Sequence, residues 1–258
     1  MPNPFKFQFF PAAVTGWVRL WKLLFVFFDF SIKGVSGKAV VMVSGGVDSS
    51  TLCYKAVREG YEVFPLTFIY GQKHEKEIRS SENICRKLGL TPNVVDLSSI
   101  RTLFGACALT DRDVGIPRVS ATARNYETLS ATVVPNRNAI FLSLAVAYSQ
   151  NVGCDTVFYG AHHSDRGVYP DCRLEFVSAF EEAEKLATDN ARLTIVAPFV
   201  DLDKSGIVRL GARLGVPFQD TWSCYVGSRM HCGTCSSCRE RKRAFVEADI
   251  ADPTEYEA

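Results

Sequence analysis

The sequence predicts an α/β fold: a parallel sheet flanked by helices, followed by a short helical tail rich in cysteine. Three observations predict it. From Lys38 to Leu214, apolar runs of strand length alternate with stretches of helix length. Glycine-rich punctuation separates them, with Gly60 and Gly89 closing two of the helical stretches. Four of the nine cysteines crowd into residues 224–238. Strands alternating with helices imply right-handed crossovers and a sheet covered on both faces.

The elements follow in order. Ala39–Val43 is a short apolar run suited to a buried parallel strand, and Ser44–Asp48 is a Gly-rich turn. Ser49–Glu59 reads as a helix, Glu62–Ile69 as a strand and His74–Leu88 as a helix with a polar face. Val94–Leu97 is a third strand. Residues 99–135 hold Gly, Pro, Thr and Ser without period and read as a long loop or insertion. Asn138–Asn151 is a helix, Thr156–Gly160 a strand, Asp171–Asp189 a helix and Leu193–Ala197 a strand. Asp203–Leu214 is a helix with Asp203 as its N-cap.

Composition narrows the classes of function. The chain has 258 residues, 47% of them apolar and 12% aromatic, enough for a full core, which excludes general disorder. Lys and Arg number 29 against 28 Asp and Glu, a net charge of +1. That balance excludes binding to nucleic acid by bulk electrostatics, so no stable nucleic-acid partner is expected. Nine cysteines, an odd number in a chain too large for a disulfide scaffold, are expected to be reduced, as in the cytoplasm.

Residues 1–36 differ from the rest. Phe, Trp, Val and Leu crowd there with Lys6, Arg19, Lys22 and Lys33 against one acid, Asp29. Arg19 and Lys22 interrupt the apolar run, so a membrane span is not expected, and no small-residue cleavage site marks a signal peptide. An interfacial helix, a packing arm and a stretch upstream of a misassigned start remain, and the last is preferred. The expected division is an N-terminal extension over 1–36, a catalytic domain over 37–220 and a metal-binding region over 221–258.

The turn Ser44-Gly45-Gly46-Val47-Asp48-Ser49-Ser50 joins a buried strand to a helix. Adjacent glycines bring bare N–H groups close to an anion, and the following helix adds its positive end. Ser44, Ser49 and Ser50 can donate to phosphate oxygens, while Asp48 suits Mg2+ or the turn itself. The pattern is neither the Walker A nor the Rossmann glycine pattern. It resembles the pyrophosphatase loop of the N-type ATP pyrophosphatases. That resemblance implies a HUP-like Rossmannoid fold, cleavage of ATP between its α and β phosphates, and adenylation of a substrate oxygen.

Cys224, Cys232, Cys235 and Cys238 form C-x7-C-x2-C-x2-C. Four thiolates in so short a segment can close a tetrahedron on zinc, a structural site with no open position. An iron–sulfur cluster is the alternative that spacing leaves open. Cys53, Cys85, Cys107, Cys154 and Cys172 lack metal spacing and read as buried small apolar residues.

Loop and tail together, with Tyr70-Gly71-Gln72-Lys73-His74, Pro135-Asn136-Arg137-Asn138, Gly160-Ala161-His162-His163-Ser164-Asp165, Tyr169-Pro170-Asp171-Cys172-Arg173 and Thr221-Trp222-Ser223-Cys224-Tyr225, resemble the 7-cyano-7-deazaguanine synthase (QueC) family over residues 38–247. Val47 stands where family members often have Gln. The resemblance implies a ligase that forms C–N bonds. It implies conversion of 7-carboxy-7-deazaguanine, ammonia and ATP to the nitrile by successive adenylation, on the way to queuosine. It also implies a homodimer.

The implied roles are these. Val43, Ser44, Gly45, Gly46, Val47, Asp48, Ser49, Ser50, Thr51, Leu52 and Cys53 match the nucleotide-binding stretch, with Mg2+ at Asp48. Ser44, Asp48, Lys204 and Arg137 are the catalytic candidates: Lys204 for phosphate charge, Arg137 to clamp a carboxylate or phosphate. Tyr70, Gln72 and His74 follow a strand's carboxyl end, where ligands sit in open α/β sheets. Asp165 and Asp171 suit a guanine-like face, and helix capping is the other reading of Asp171. His162 and His163 receive no role. Arg239, Arg241, Lys242 and Arg243 read as a solvated basic face. Two other functions stay open: activation of another carboxylate, on a small molecule or a protein, and tRNA thiolation.

Overall fold

The computed structural model describes residues 37–73, 76–105, 107–111, 113–116, 131–227 and 229–257. The N-terminal extension over 1–36, His74 and much of the 99–135 segment lie outside the described residues. Five strands form one wholly parallel sheet: β1 (Gly37–Met42), β2 (Tyr61–Ile69), β3 (Asn93–Asp96), β4 (Thr156–Phe158) and β5 (Thr194–Val196). Their order is β3-β2-β1-β4-β5. The helices are α1 (Val47–Arg58), α2 (Lys76–Lys87), α3 (Arg137–Val152), α4 (Leu174–Thr188), α5 (Lys204–Leu214) and α6 (Ser236–Ala248).

The predicted alternation is therefore the observed one, with strand and helix ends moved by a few residues. The largest move is at α4. The sequence predicts helix from Asp171, but Pro170–Cys172 is a separate 3-10 turn, and Arg173 in extended conformation breaks it from α4. The 99–135 segment also opens with order, a 3-10 turn over Ser98–Phe104. Asp203 caps α5 as predicted, its carboxylate accepting the Gly206 N–H at 2.7 Å.

β1 lies at the centre and is covered on both faces, so it reads as an unbroken apolar run. Its side chains alternate between two cores. Val40 joins Leu66, Leu142, Val146 and Val157 under α3 and α4. Ala39 and Val41 join Leu52, Phe158, Ile207 and Phe245 under α1, α5 and α6. The cysteine-bearing tail is thus built into the second core through Ala244, Phe245 and Ala248 of α6. Among the described residues no helix is long and apolar enough to cross a membrane.

The five cysteines without metal spacing are all buried and unbridged, as expected. The basic run on α6 is not a uniform solvated face. Arg241 is 1% exposed. Its guanidinium donates to both Asp252 carboxylate oxygens at 3.2 Å, to Thr221 Oγ1 at 2.7 Å and to the Phe218 carbonyl at 3.0 Å. A buried cation this fully paired locks α6 to the chain on either side of it.

Candidate active site

Between β1 and β4 the sheet order reverses. The segment leaving β1 turns to one face and the segment leaving β4 to the other, so a crevice opens at their carboxyl ends. A cavity of about 820 Å³ occupies it.

One wall is the loop after β1. Thr67 Oγ1 and Ser81 Oγ both donate to the Val43 carbonyl, at 2.8 and 3.1 Å, and hold the strand end in place. Gly45 then turns at φ +82°, and a Cβ there would lie 2.5 Å from the Glu77 carbonyl and 2.6 Å from Ser81 N. Only glycine meets both demands. Ser49 Oγ accepts the Ser44 N–H at 3.1 Å and lies 3.0 Å from Ser44 Oγ, so two hydroxyls converge where α1 begins. The first turn of α1 opens onto the cavity, a ready site for a phosphate.

Asp48 stands in that turn. Its Oδ2 accepts from Lys204 Nζ at 2.6 Å, and His162 Nε2 lies 3.8 Å away. His162, 2% exposed, also sits 3.2 Å from Asp165 Oδ2. Lys204 lies 3.7 Å from Glu240 Oε2 as well. Burial pushes the Asp48 carboxyl up, but Lys204 and His162 outweigh it and hold the group below its usual range. Burial pulls Lys204 down, and Asp48, Glu240 and Asp165 together hold it well above its usual value. Asp48 is thus ionised and Lys204 charged. Asp48 Oδ1 is buried and has no hydrogen-bond partner among the described residues. An orphaned carboxylate oxygen beside a phosphate cradle fits a hard cation.

The far wall is aromatic. Phe68 and Phe141 stack with centroids 4.2 Å apart. Asn136, left-handed at φ +53°, turns the chain into α3, whose first residue is Arg137. The Arg137 guanidinium lies 5.6 Å from the Tyr70 ring centroid, and its Nε donates to Asn138 Oδ1 at 3.2 Å. Burial pushes the Tyr70 hydroxyl up to about 12. Burial also pushes the Glu77 carboxyl up to about 7, against the pull of Arg137.

The fold brings Val43, Ser44, Gly46, Val47, Asp48, Ser49, Tyr70, Arg137, Asp165 and Lys204 around this one cavity. Gly45 packs behind it on α2, and Ser50, Thr51, Leu52 and Cys53 are buried in α1. Gln72 takes no part in the wall: its amide accepts the Tyr70 N–H at 2.8 Å and donates to the Phe68 carbonyl at 3.2 Å, closing the turn after β2. Asp171 is also outside the wall. Its carbonyl accepts the Tyr159 hydroxyl at 3.0 Å, and its side chain caps no helix. Sequence reasoning missed Glu77, Tyr159, His162, Tyr225 and Glu240, all of which line the cavity. His162 had a signal, since it lies in the loop that follows β4. Glu77 and Glu240 had none, each being one of two acids on an amphipathic helix.

Beside the cavity, the Sγ atoms of Cys224, Cys232, Cys235 and Cys238 all lie within 4.8 Å of one another, and all four residues are buried. Backbone N–H groups of Cys232 and Cys235 donate to Cys224 and Cys232 sulfurs at 3.3 Å, which favours thiolates. Four sulfurs about 2.3 Å from a tetrahedral ion stand about 3.8 Å apart, so the cluster fits a metal. Trp222, two residues before the first of these cysteines, donates its N–H to the Gly45 carbonyl at 2.9 Å.

A phosphate cradle at the switch point of a parallel sheet, with an ionised aspartate in it and a charged lysine paired to that aspartate, defines a nucleotide-using α/β enzyme. The chain belongs to the family described as queuosine biosynthesis protein QueC, whose model matches residues 38–249. It is 43% identical over 219 residues to 7-cyano-7-deazaguanine synthase 2 of Colwellia psychrerythraea, covering 85% of this chain and 98% of that protein. It is 46% identical over 216 residues to the 7-cyano-7-deazaguanine synthase of Archaeoglobus fulgidus, covering 84% of this chain and 89% of that one. Among solved structures, the NMN synthetase of Francisella tularensis aligns over 83% of this chain and 84% of its own, at 15% identity and a TM-score of 0.47.

Proposed function

We propose that this chain converts 7-carboxy-7-deazaguanine, ammonia and ATP into 7-cyano-7-deazaguanine. The observation that carries the reading is the single cavity in which a phosphate loop with Asp48 and Lys204 faces an aromatic recess holding Arg137, in a chain of this family.

The chemistry follows from the electrophile. A carboxylate resists attack by ammonia, so one of its oxygens first displaces pyrophosphate from the α-phosphorus of ATP. Ammonia then adds to the activated carbon, a proton leaves and AMP departs, giving the amide. The amide oxygen attacks a second ATP in the same way. Loss of the remaining N–H protons and of the second AMP leaves the nitrile. Both rounds activate an oxygen on the same carbon, so one site serves both.

In this reading the Ser44–Ser49 turn holds the departing pyrophosphate with N–H groups and two hydroxyls. Lys204 neutralises charge that builds on the phosphates as the P–O bond breaks. Arg137 orients the carboxylate. Asp48 and its unpaired Oδ1 would hold Mg2+, which supplies further charge neutralisation when bound. The four-cysteine site would hold zinc in a structural role. The nine unbridged cysteines support a cytoplasmic setting. A homodimer rests on the family resemblance.

Incubation with ATP, Mg2+, ammonium and 7-carboxy-7-deazaguanine, followed by mass spectrometry, tests the reading. The expected products are the nitrile and two AMP per turnover, with the amide as a transient. AMP without nitrile or amide would overturn it.

A further inference from the structure

We propose that Glu77, acting with Arg137, is the residue pair that reads the lactam edge of the deazaguanine ring and rejects adenine from that part of the cavity. The inference rests on the function proposed above and adds the residues that select the ring.

Three observations carry it. First, Glu77, on α2, lines the cavity that Phe68, Tyr70 and Phe141 also line, and it acts electrostatically on Tyr70. Its half-buried carboxylate has no hydrogen-bond or ion-pair partner among the described residues and is open to the cavity. Second, Arg137 lines the same cavity and acts on Glu77 electrostatically, yet the two form no ion pair within 4 Å. Their polar ends therefore leave room for a ligand edge. Third, the Phe68–Phe141 stack and the Tyr70 ring supply flat apolar surface for a planar heterocycle.

The donor and acceptor patterns decide which heterocycle. A guanine-type edge presents an acceptor, O6, then two adjacent donors, N1–H and the 2-amino group. Arg137 has donors enough to meet O6 as well as the neighbouring carboxylate on C7, and Glu77 offers two acceptor oxygens, the complementary set. Adenine presents the opposite: an amino donor toward the arginine and the N1 lone pair toward the carboxylate. Above pH 7, where Glu77 is ionised, both contacts repel, so the pair selects by rejection as well as by fit.

Asp171, which the sequence places at this edge, stands outside the wall, and Asp165, the second acid it places there, is drawn away. It lies 3.2 Å from His162, on the side of Asp48 and Lys204, and so belongs to the charge network around the phosphates. Glu77 is left as the acid on the aromatic side.

The test compares 7-carboxy-7-deazaguanine with its analogue lacking the 2-amino group, at saturating ATP, in the wild-type protein and the Glu77→Gln and Glu77→Ala variants. The wild type should favour the amino-bearing substrate by about 100-fold or more in kcat/KM, as sites built to hydrogen-bond a group do. Glu77→Ala should lower kcat/KM for that substrate about 100-fold, shrink the preference below about tenfold, and leave KM for ATP within about twofold. Glu77→Gln keeps one acceptor and should fall between. Thermal melts and ATP binding show that the variants are folded. An unchanged preference in folded Glu77→Ala, or a tenfold rise in KM for ATP instead, would overturn the inference. A wild-type protein inert toward both compounds would overturn the proposed function itself, and this inference with it.

Discussion

Lys204 and Asp48 are 156 positions apart in sequence and 2.6 Å apart in the cavity. Each makes the other's charge tolerable in a mostly buried place. Lys204→Met should therefore act twice. It should lower kcat by about 100- to 1,000-fold, the usual loss for one preorganised charge at a transition state. It should also destabilise the fold by about 3 kcal/mol, because Asp48 is left without its cation. Steady-state kinetics and urea unfolding measure the two effects, and a variant of unchanged kcat would remove Lys204 from the chemistry. Glu77 shows the reverse economy. Its carboxyl titrates near 7 in the fold against an ordinary 4.5, because burial disfavours the charge. Between those values the folded state binds more protons than the unfolded state, so stability is present at low pH and is lost as pH rises through 7. Glu77→Gln removes that loss. Its urea midpoint should gain on the wild type between pH 5 and pH 8 by the equivalent of about 1–3 kcal/mol. Parallel curves for the two proteins would show that Glu77 ionises at no cost.

At the scale of elements, the crossing of α1 and α5 sets how far the phosphate loop stands from Lys204. Gly211 on α5 makes that crossing close: a Cβ there would lie 2.7 Å from Thr51 Oγ1 and 2.7 Å from Phe218 Cζ. Gly211→Ala gains about 1 kcal/mol of helix propensity but forces the helices apart, at about 1–3 kcal/mol. The net expectation is a loss of up to about 2 kcal/mol in thermal or urea unfolding and a rise in KM for ATP, and a stabilised protein would show that the crossing gives way freely. None of this was legible in the sequence, where Gly211 is one small residue in an amphipathic stretch. The strands were legible because parallel strands buried on both faces must be apolar throughout. The loop after β1 was legible because a chain can approach phosphates so closely only with residues such as Gly45 and Gly46. Arg241 was not, since its neighbours Arg239, Lys242 and Arg243 give the run a solvated look. Its burial depends on Asp252, Thr221 and Phe218 arriving from outside the helix. Glu77 was hidden for the same reason: what makes it unusual is the set of groups that folding places around it.

At the scale of the whole molecule, the four-cysteine site and the phosphate loop are joined by a short segment. Trp222 donates its backbone N–H to Gly45 at 2.9 Å and its indole N–H to the Cys224 carbonyl at 2.8 Å. The first metal-ready cysteine is thus tied through one residue to the turn that cradles phosphate. The same tail supplies Tyr225 and Glu240 to the cavity, and Arg241 fastens α6 behind them. A metal in the four-sulfur cluster would therefore fix the tail and, through it, the loop. Removing it with a chelator should lower the melting temperature by several degrees, since a structural metal contributes folding energy outright. It should also raise KM for ATP more than KM for the carboxylate, because Trp222 holds the phosphate loop and Arg137 stands across the cavity from it. Zinc should restore both properties. If the metal-free protein melts lower yet binds ATP unchanged, the tail is a brace for the core alone and the Trp222–Gly45 contact carries no coupling. If both KM values rise together, the tail organises the whole cavity, and Tyr225 and Glu240 become the residues to change next.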